Sequence, residues 1–151
     1  MKKKCCGTRL THQEARDLLT RKGLNKTKLK IEILLELSRA QIPLSVPEIF
    51  KGIGSSCNVS TIFRAVTQFK EKNLIQEVNL DEGFIRYELI PTHDAHHHHV
   101  RCRTCGVIKN LDECDVSAFE NAIAKLGFKE MAHRLEFTGL CSQCWTKKSK
   151  L

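Results

Sequence analysis

STIFRAVTQFKEKNLIQEVNLDEGFIRYELI, residues 60–90, decides the fold. Its first half places Ile62, Phe63, Val66 and Phe69 on one side of a helix, with Ser60 read as the N-cap. After Asn73 the period changes. LIQEVNL and FIRYELI are rich in Ile, Val, Phe and Tyr, and the acidic turn between them, Asp81-Glu82-Gly83, ends in glycine. That pattern predicts a β-hairpin. Working back toward the N-terminus, three more helices are expected. HQEARDLLTRKG sets Ala15, Leu18 and Leu19 on a face and stops at Gly23. KLKIEILLELSRA has enough Leu and Ile for a buried face, and Pro43 breaks the pattern beyond it. Ser45 is placed to cap SVPEIFKGI, with Pro47 in the first turn, Glu48 at the capping-box position, and Gly52 and Gly54 ending the helix. Helices followed by a hairpin make a winged helix. In that arrangement the last helix, 60–73, enters a DNA major groove and the hairpin lies alongside.

Working forward, Pro91-Thr92-His93-Asp94 reads as a hinge, about 91–95, between a domain at 1–90 and a second at 96–151. HHHHVRC is strand-like and runs into a Cys knuckle. VIKNL is a second strand, DVSAFENAIAKLGF a helix, and HRLEFTGL a third strand before another Cys knuckle. The basic tail KKSKL is expected to be disordered. The fold class is therefore α/β: an N-terminal winged-helix domain and a small C-terminal α/β unit.

Charge divides along the same line. Residues 1–80 carry 15 Lys/Arg against 7 Asp/Glu, and residues 81–151 carry 10 of each, so the whole net charge of +8 lies in the first half. One half is suited to a polyanion. Five of eight Cys and six of seven His lie in the second half, which suits a metal. No run of 18 apolar residues predicts a membrane helix, and MKKKCCGTRLTHQEA lacks the apolar stretch of a signal peptide. A cytoplasmic location is expected, where reduced cysteines favour metal ligation over disulfides.

Cys102-Arg-Thr-Cys105 and Cys141-Ser-Gln-Cys144 are two CxxC pairs. One turn presents two thiolates to an ion, so two turns complete a closed four-sulfur zinc site of structural type. Gly106 suits the backbone reversal of the first knuckle. Cys57, Cys114, Cys5 and Cys6 are read as ordinary thiols, Cys114 being the weakest case for that reading. In the histidine run, strand alternation sends His97 and His99 one way and His96 and His98 the other. Two sites follow, each with paired imidazoles. Glu88 is a candidate to join His97 and His99, clamping the two domains. His133 is a candidate for His96 and His98, with Asp115 or Glu120 to complete the set. Imidazole alone does not choose the metal. A zinc hydrolase is the rival class, but neither an HExxH motif nor a nucleophile elbow is present.

HHHHVRCRTCG, an α/β stretch, and AHRLEFTGLCSQC resemble the C-terminal half of the ferric-uptake-regulator superfamily. STIFRAVTQFKEKNLI resembles its recognition helix, and the likeness spans roughly residues 12–146. It implies a homodimer with a winged-helix DNA-binding domain and a dimerisation domain. It assigns Cys102, Cys105, Cys141 and Cys144 to structural Zn2+, Glu88, His97 and His99 to the sensing site, and His96, His98 and His133 to a second site. It makes Ser60, Thr61, Arg64 and Lys30 the expected contacts to double-stranded DNA. The four histidines beside CRTCG look most like the zinc uptake regulators, so Zn2+ ranks first as the sensed metal, then Fe2+ or Mn2+, then nickel. The implied function is a repressor of metal-uptake genes on palindromic operators. An iron-, manganese- or peroxide-responsive regulator of the same superfamily is the alternative.

The chain departs from the family in four places. Pro43 stands near the usual hinge-site histidine, and Val116 or Ser117 stands where a helix glutamate is common. Phe63 replaces the tyrosine before the recognition-helix arginine, and Thr27-Lys28-Leu29-Lys30 replaces a threonine-x-x-arginine.

Overall fold

The computed structural model describes residues 9–54, 57–90, 97–111 and 114–148. Two compact units make up the chain, Met1–Asp94 and Ala95–Leu151. The expected hinge, His96, Cys5 and Cys6 lie outside the described residues.

In the first unit, α1 (His12–Arg21), α2 (Lys28–Ala40), α3 (Val46–Ile53) and α4 (Val59–Glu71) precede β1 (Ile75–Val78) and β2 (Arg86–Leu89). Thr11 caps α1 by accepting from the Glu14 N–H at 3.2 Å, while the Thr11 N–H donates to the Glu14 carboxylate at 2.7 Å. Ser45 and Glu48 do the equivalent work at α3, with Ser45 N–H and hydroxyl donating to Glu48 at 2.8 and 2.6 Å. The α3 helix runs through Gly52 and stops at Gly54, which adopts the left-handed conformation of a C-cap.

One start signal differs from expectation. Helix α4 begins at Val59, and Asn58, not Ser60, is its N-cap. The Asn58 backbone is extended (φ −91°, ψ 155°), and its carbonyl accepts from the Thr61 N–H at 3.0 Å. Ser60 and Thr61 then lie in the first turn and donate their hydroxyls to the Asn58 side chain at 3.1 and 3.2 Å.

Along α4, Ile62, Ala65, Val66 and Phe69 are buried, the i, i+3, i+4, i+7 stripe of a helix seated on a core. Leu19, Ile33, Leu34 and Ile49 from the other three helices meet them there. Cys57 packs half-buried against the same core, as an ordinary apolar thiol does. Strands β1 and β2 pair antiparallel, from Ile75 opposite Leu89 to Val78 opposite Arg86. Leu44 adds a short third rung, exchanging two backbone hydrogen bonds with Tyr87 at 2.9 and 2.8 Å. The hairpin is further tied to α3 through Arg86. This buried guanidinium pairs with Glu82 in the turn and Glu48 on α3, and donates to the Pro43 carbonyl at 3.2 Å.

The second unit contains β3 (His98–Cys102), β4 (Ile108–Leu111), α5 (Ser117–Lys125), β5 (Glu136–Gly139) and α6 (Ser142–Lys148). Its sheet has the order β4-β3-β5. Antiparallel pairing sets His98 opposite Leu111, and parallel pairing sets His99 beside Glu136 and Cys102 beside Gly139. The chain leaving β4 and the chain entering β5 therefore both arrive at the N-terminal end of β3. The β3–β4 turn and the exit from β5 meet at its other end. Helix α6 extends past the second Cys pair, so Lys147 and Lys148 are helical where a loose tail is expected from the sequence; residues 149–151 lie outside the described residues. Helix α5 has no buried residue, and Phe119 and Leu126 stand 70% and 75% exposed. Among the described residues, no helix is long and apolar enough to cross a membrane.

Candidate metal centres

Cys102, Cys105, Cys141 and Cys144 converge at the C-terminal end of β3, their sulfurs all within 4.8 Å of one another. Strand β3 supplies Cys102, the knuckle closed by Gly106 (φ 73°) supplies Cys105, and the start of α6 supplies the other pair. Zinc–sulfur bonds of about 2.3 Å in a tetrahedron put sulfurs about 3.8 Å apart. The Cys105–Cys141 pair, at 3.7 Å, fits that edge. Backbone N–H groups already serve the cluster. Hydrogen bonds from the Cys105 and then the Cys141 backbone hold the Cys102 thiol down at about 6, the Cys141 N–H lying 3.3 Å from its sulfur. Cys144 is pushed up to about 12, first by its hydrogen bond with Cys141, then by burial and by its other thiol neighbours. Thiols this close cannot all ionise alone, and a divalent ion among them removes the repulsion.

The histidine run feeds two faces. The His97 and His99 rings meet edge to face with centroids 4.9 Å apart. The His99 Nδ1 lies 3.1 Å from the Asn110 amide oxygen across the β3–β4 ladder. With Nδ1 protonated toward Asn110, Nε2 is left as the ligand atom. On the opposite face His98 meets His133, ring centroids 5.2 Å apart.

Cys114, read from the sequence as an ordinary thiol, joins His98 and His133, with its sulfur 3.1 Å from the His133 Nε2. The carboxylates expected to complete that set do other things. Asp115 accepts from the Ser117 N–H at 3.2 Å and hydroxyl at 2.7 Å, fixing the start of α5; these bonds hold its carboxyl below the usual range. Glu120 is an exposed residue of α5 and belongs to no described ligand group. The missed signal is one of register: antiparallel pairing returns the residues after β4 to the start of β3.

In the first unit, Glu88 is buried on β2 and accepts from the Gln76 amide at 2.8 Å, across the Gln76–Glu88 pair. On α4, Ser60, Thr61, Phe63 and Arg64 lie on the exposed side, opposite the buried stripe. Lys30 is half-buried in the first turn of α2.

The family model for the ferric uptake regulator family matches residues 21–138. The chain belongs to that family. Its members are metal-responsive transcription regulators and not enzymes, which removes the hydrolase alternative. In fold, the chain joins a winged-helix unit to a small α/β unit, as structures of that family do. It is 30% identical over 130 residues to the ferric uptake regulation protein of Neisseria meningitidis, covering 83% of this chain and 89% of that protein. It is 27% identical over 141 residues to the peroxide operon regulator of Bacillus subtilis, covering 91% and 95%. In fold it matches the Helicobacter pylori ferric uptake regulator, described as having three functional metal binding sites, with a TM-score of 0.73 and 23% identity over 91% of this chain and 95% of that one.

Proposed function

We propose that the chain is a cytoplasmic, homodimeric repressor that senses zinc and binds palindromic operators of metal-uptake genes. The observation that carries the choice of zinc is the donor chemistry. Imidazole and thiolate dominate the candidate ligands, and Glu88, a candidate from the sequence, is the one carboxylate among them. Nitrogen and sulfur donors suit zinc, whereas oxygen-rich shells suit manganese. Iron is the second reading, favoured by the name of the Neisseria meningitidis relative.

In this reading the four cysteines hold a structural zinc. Glu88, oriented by Gln76, together with His97 and with His99, which is oriented through Asn110, would supply the ligands of the sensing metal from either side of residues 91–95. His98 and His133, with His96, serve the second site. A divalent ion supplies a cross-link between ligands carried on separate domains. The residues of the sensing site then favour one spacing of the two recognition helices in a dimer. Coupling of this kind is worth about 1–3 kcal/mol, roughly a 5- to 150-fold change in operator affinity.

At the DNA, Arg64 and Lys30 supply charge, and Ser60 and Thr61 supply hydroxyl donors at the helix start. Phe63, 51% exposed beside Arg64, offers an apolar surface to a thymine methyl where a tyrosine would add a hydroxyl. The bare apolar side of α5 is the surface a second copy would cover.

Arg64→Ala tests the interface. Operator affinity should fall with zinc content and secondary structure unchanged. Unchanged affinity across a salt series removes Arg64 from the interface.

A further inference from the structure

The β4–α5 connection places a thiol among the histidines of the second site, and no expected role accounts for it. His98, Cys114 and His133 bring their ligand atoms within 4.8 Å of one another, at the end of the sheet opposite the four cysteines. We propose that Cys114 is a thiolate ligand of the metal held by His98 and His133, and that it biases this site toward zinc against manganese and ferrous iron. The inference rests on reading those two histidines as metal ligands.

Three observations support it. First, the placement follows from topology. Cys114 lies just beyond the end of β4 and His133 just before β5, and both of those strand ends adjoin His98 at the start of β3. Second, the geometry is near that of a zinc site. Zinc bonds of about 2.3 Å to sulfur and about 2.0 Å to nitrogen set a tetrahedral S···N edge of about 3.5 Å. The Cys114 sulfur sits 3.1 Å from the His133 Nε2, so a shift of under half an ångström, on the order of 0.4 Å, opens the pair to that edge. His98 is buried, and Cys114 and His133 are half-buried, which limits competition from solvent without sealing the site. Third, among the described residues, the two carboxylates expected to complete the set do not join it. Asp115 is bound to Ser117, and Glu120 is outside the ligand group. A soft thiolate in place of a carboxylate raises affinity for zinc more than for manganese or ferrous iron.

The test uses the full-length protein with the four-cysteine site kept loaded. Exchangeable zinc is counted against a chromophoric chelator in wild type, Cys114→Ser and His133→Ala. Cobalt is added in parallel as an optical probe of thiolate ligation. Both variants should lose the same single zinc equivalent, or bind it at least about 10-fold more weakly. Cys114→Ser should also lose a thiolate-to-cobalt charge-transfer band, while manganese affinity hardly changes. In wild type, zinc should shield Cys114 from alkylation as read by mass spectrometry, a measurement that needs no variant. If His133→Ala loses the ion while Cys114→Ser keeps both ion and band, and zinc leaves Cys114 open to alkylation, the thiolate role is overturned and the histidine site stands. If neither variant loses zinc, the histidine site falls with it. DNA binding is not read in any arm, so the repressor function is tested separately.

Discussion

Replacing Phe119 and Leu126 together by serine should break the proposed dimer. Phe119, on α5, and Leu126, its C-cap, stand 70% and 75% exposed. Fully burying such a side chain is worth about 1.5–3 kcal/mol. Scaling by the exposed share leaves roughly 1–2 kcal/mol for each. A two-fold interface uses each side chain twice, so four of them carry roughly 4–8 kcal/mol. The translational and rotational cost of association is common to both proteins and cancels in the comparison. At about 1.4 kcal/mol per tenfold, F119S/L126S should weaken self-association by roughly three to six powers of ten. Sedimentation velocity over a nanomolar-to-micromolar series reads this directly. Structural zinc is measured on the same samples, because a variant that has lost its fold would also lose the metal. A doubly substituted protein with full zinc and a dimer constant within tenfold of wild type would refute the assignment of α5 to the interface.

Three further outcomes are expected. Arg86→Met leaves the Glu82 carboxylate, 7% exposed, without its buried partner, and should destabilise the N-terminal unit by about 3–5 kcal/mol in urea unfolding. Cys105→Ser should release the structural zinc and unfold the C-terminal unit, seen as lost metal and lost circular dichroism, because the binding energy of such a site is folding energy. Burial alone would raise Glu48, but hydrogen bonds from Ser45 and the Arg86 charge outweigh it and leave the carboxyl below its usual range. Its contribution is thus present above the ordinary carboxylate range and lost as pH falls through the depressed value. Glu48→Gln should flatten that acid limb of the stability curve, and an unchanged limb would count against the Ser45–Glu48–Arg86 cluster.

What the sequence disclosed followed from how local each signal is. The hairpin was legible because its Ile-, Val-, Phe- and Tyr-rich flanks and its Gly83 turn (φ 79°) are encoded within a few residues. Both Cys pairs were legible for the same reason, since CxxC spacing by itself brings two sulfurs together. The start of α4 was misplaced because Asn58 and Ser60 are both good caps, and only the backbone conformation of Asn58 separates them. Cys114 was missed because its neighbours are set by strand register and not by spacing: Leu111 opposite His98 decides where the next residues go. The same pairing explains Asn110, whose oxygen reaches His99 across the ladder. Helix α6 escaped notice because SQCWTKK is too short and basic to carry a periodic signal. Helix α5 was readable as a helix, yet what its exposed apolar side meets is not encoded locally.

The most direct test of the account is fluorescence anisotropy of the protein on DNA from upstream of its own coding sequence. Zinc, ferrous iron, manganese and nickel are titrated separately under reducing, anaerobic conditions. Zinc at low free concentration should switch binding on, with affinity falling steeply as salt rises. Activation by iron or manganese alone would contradict the choice of zinc and leave the repressor intact. No response to any metal, on that fragment or on a wider set of promoters, would contradict metal-controlled DNA binding.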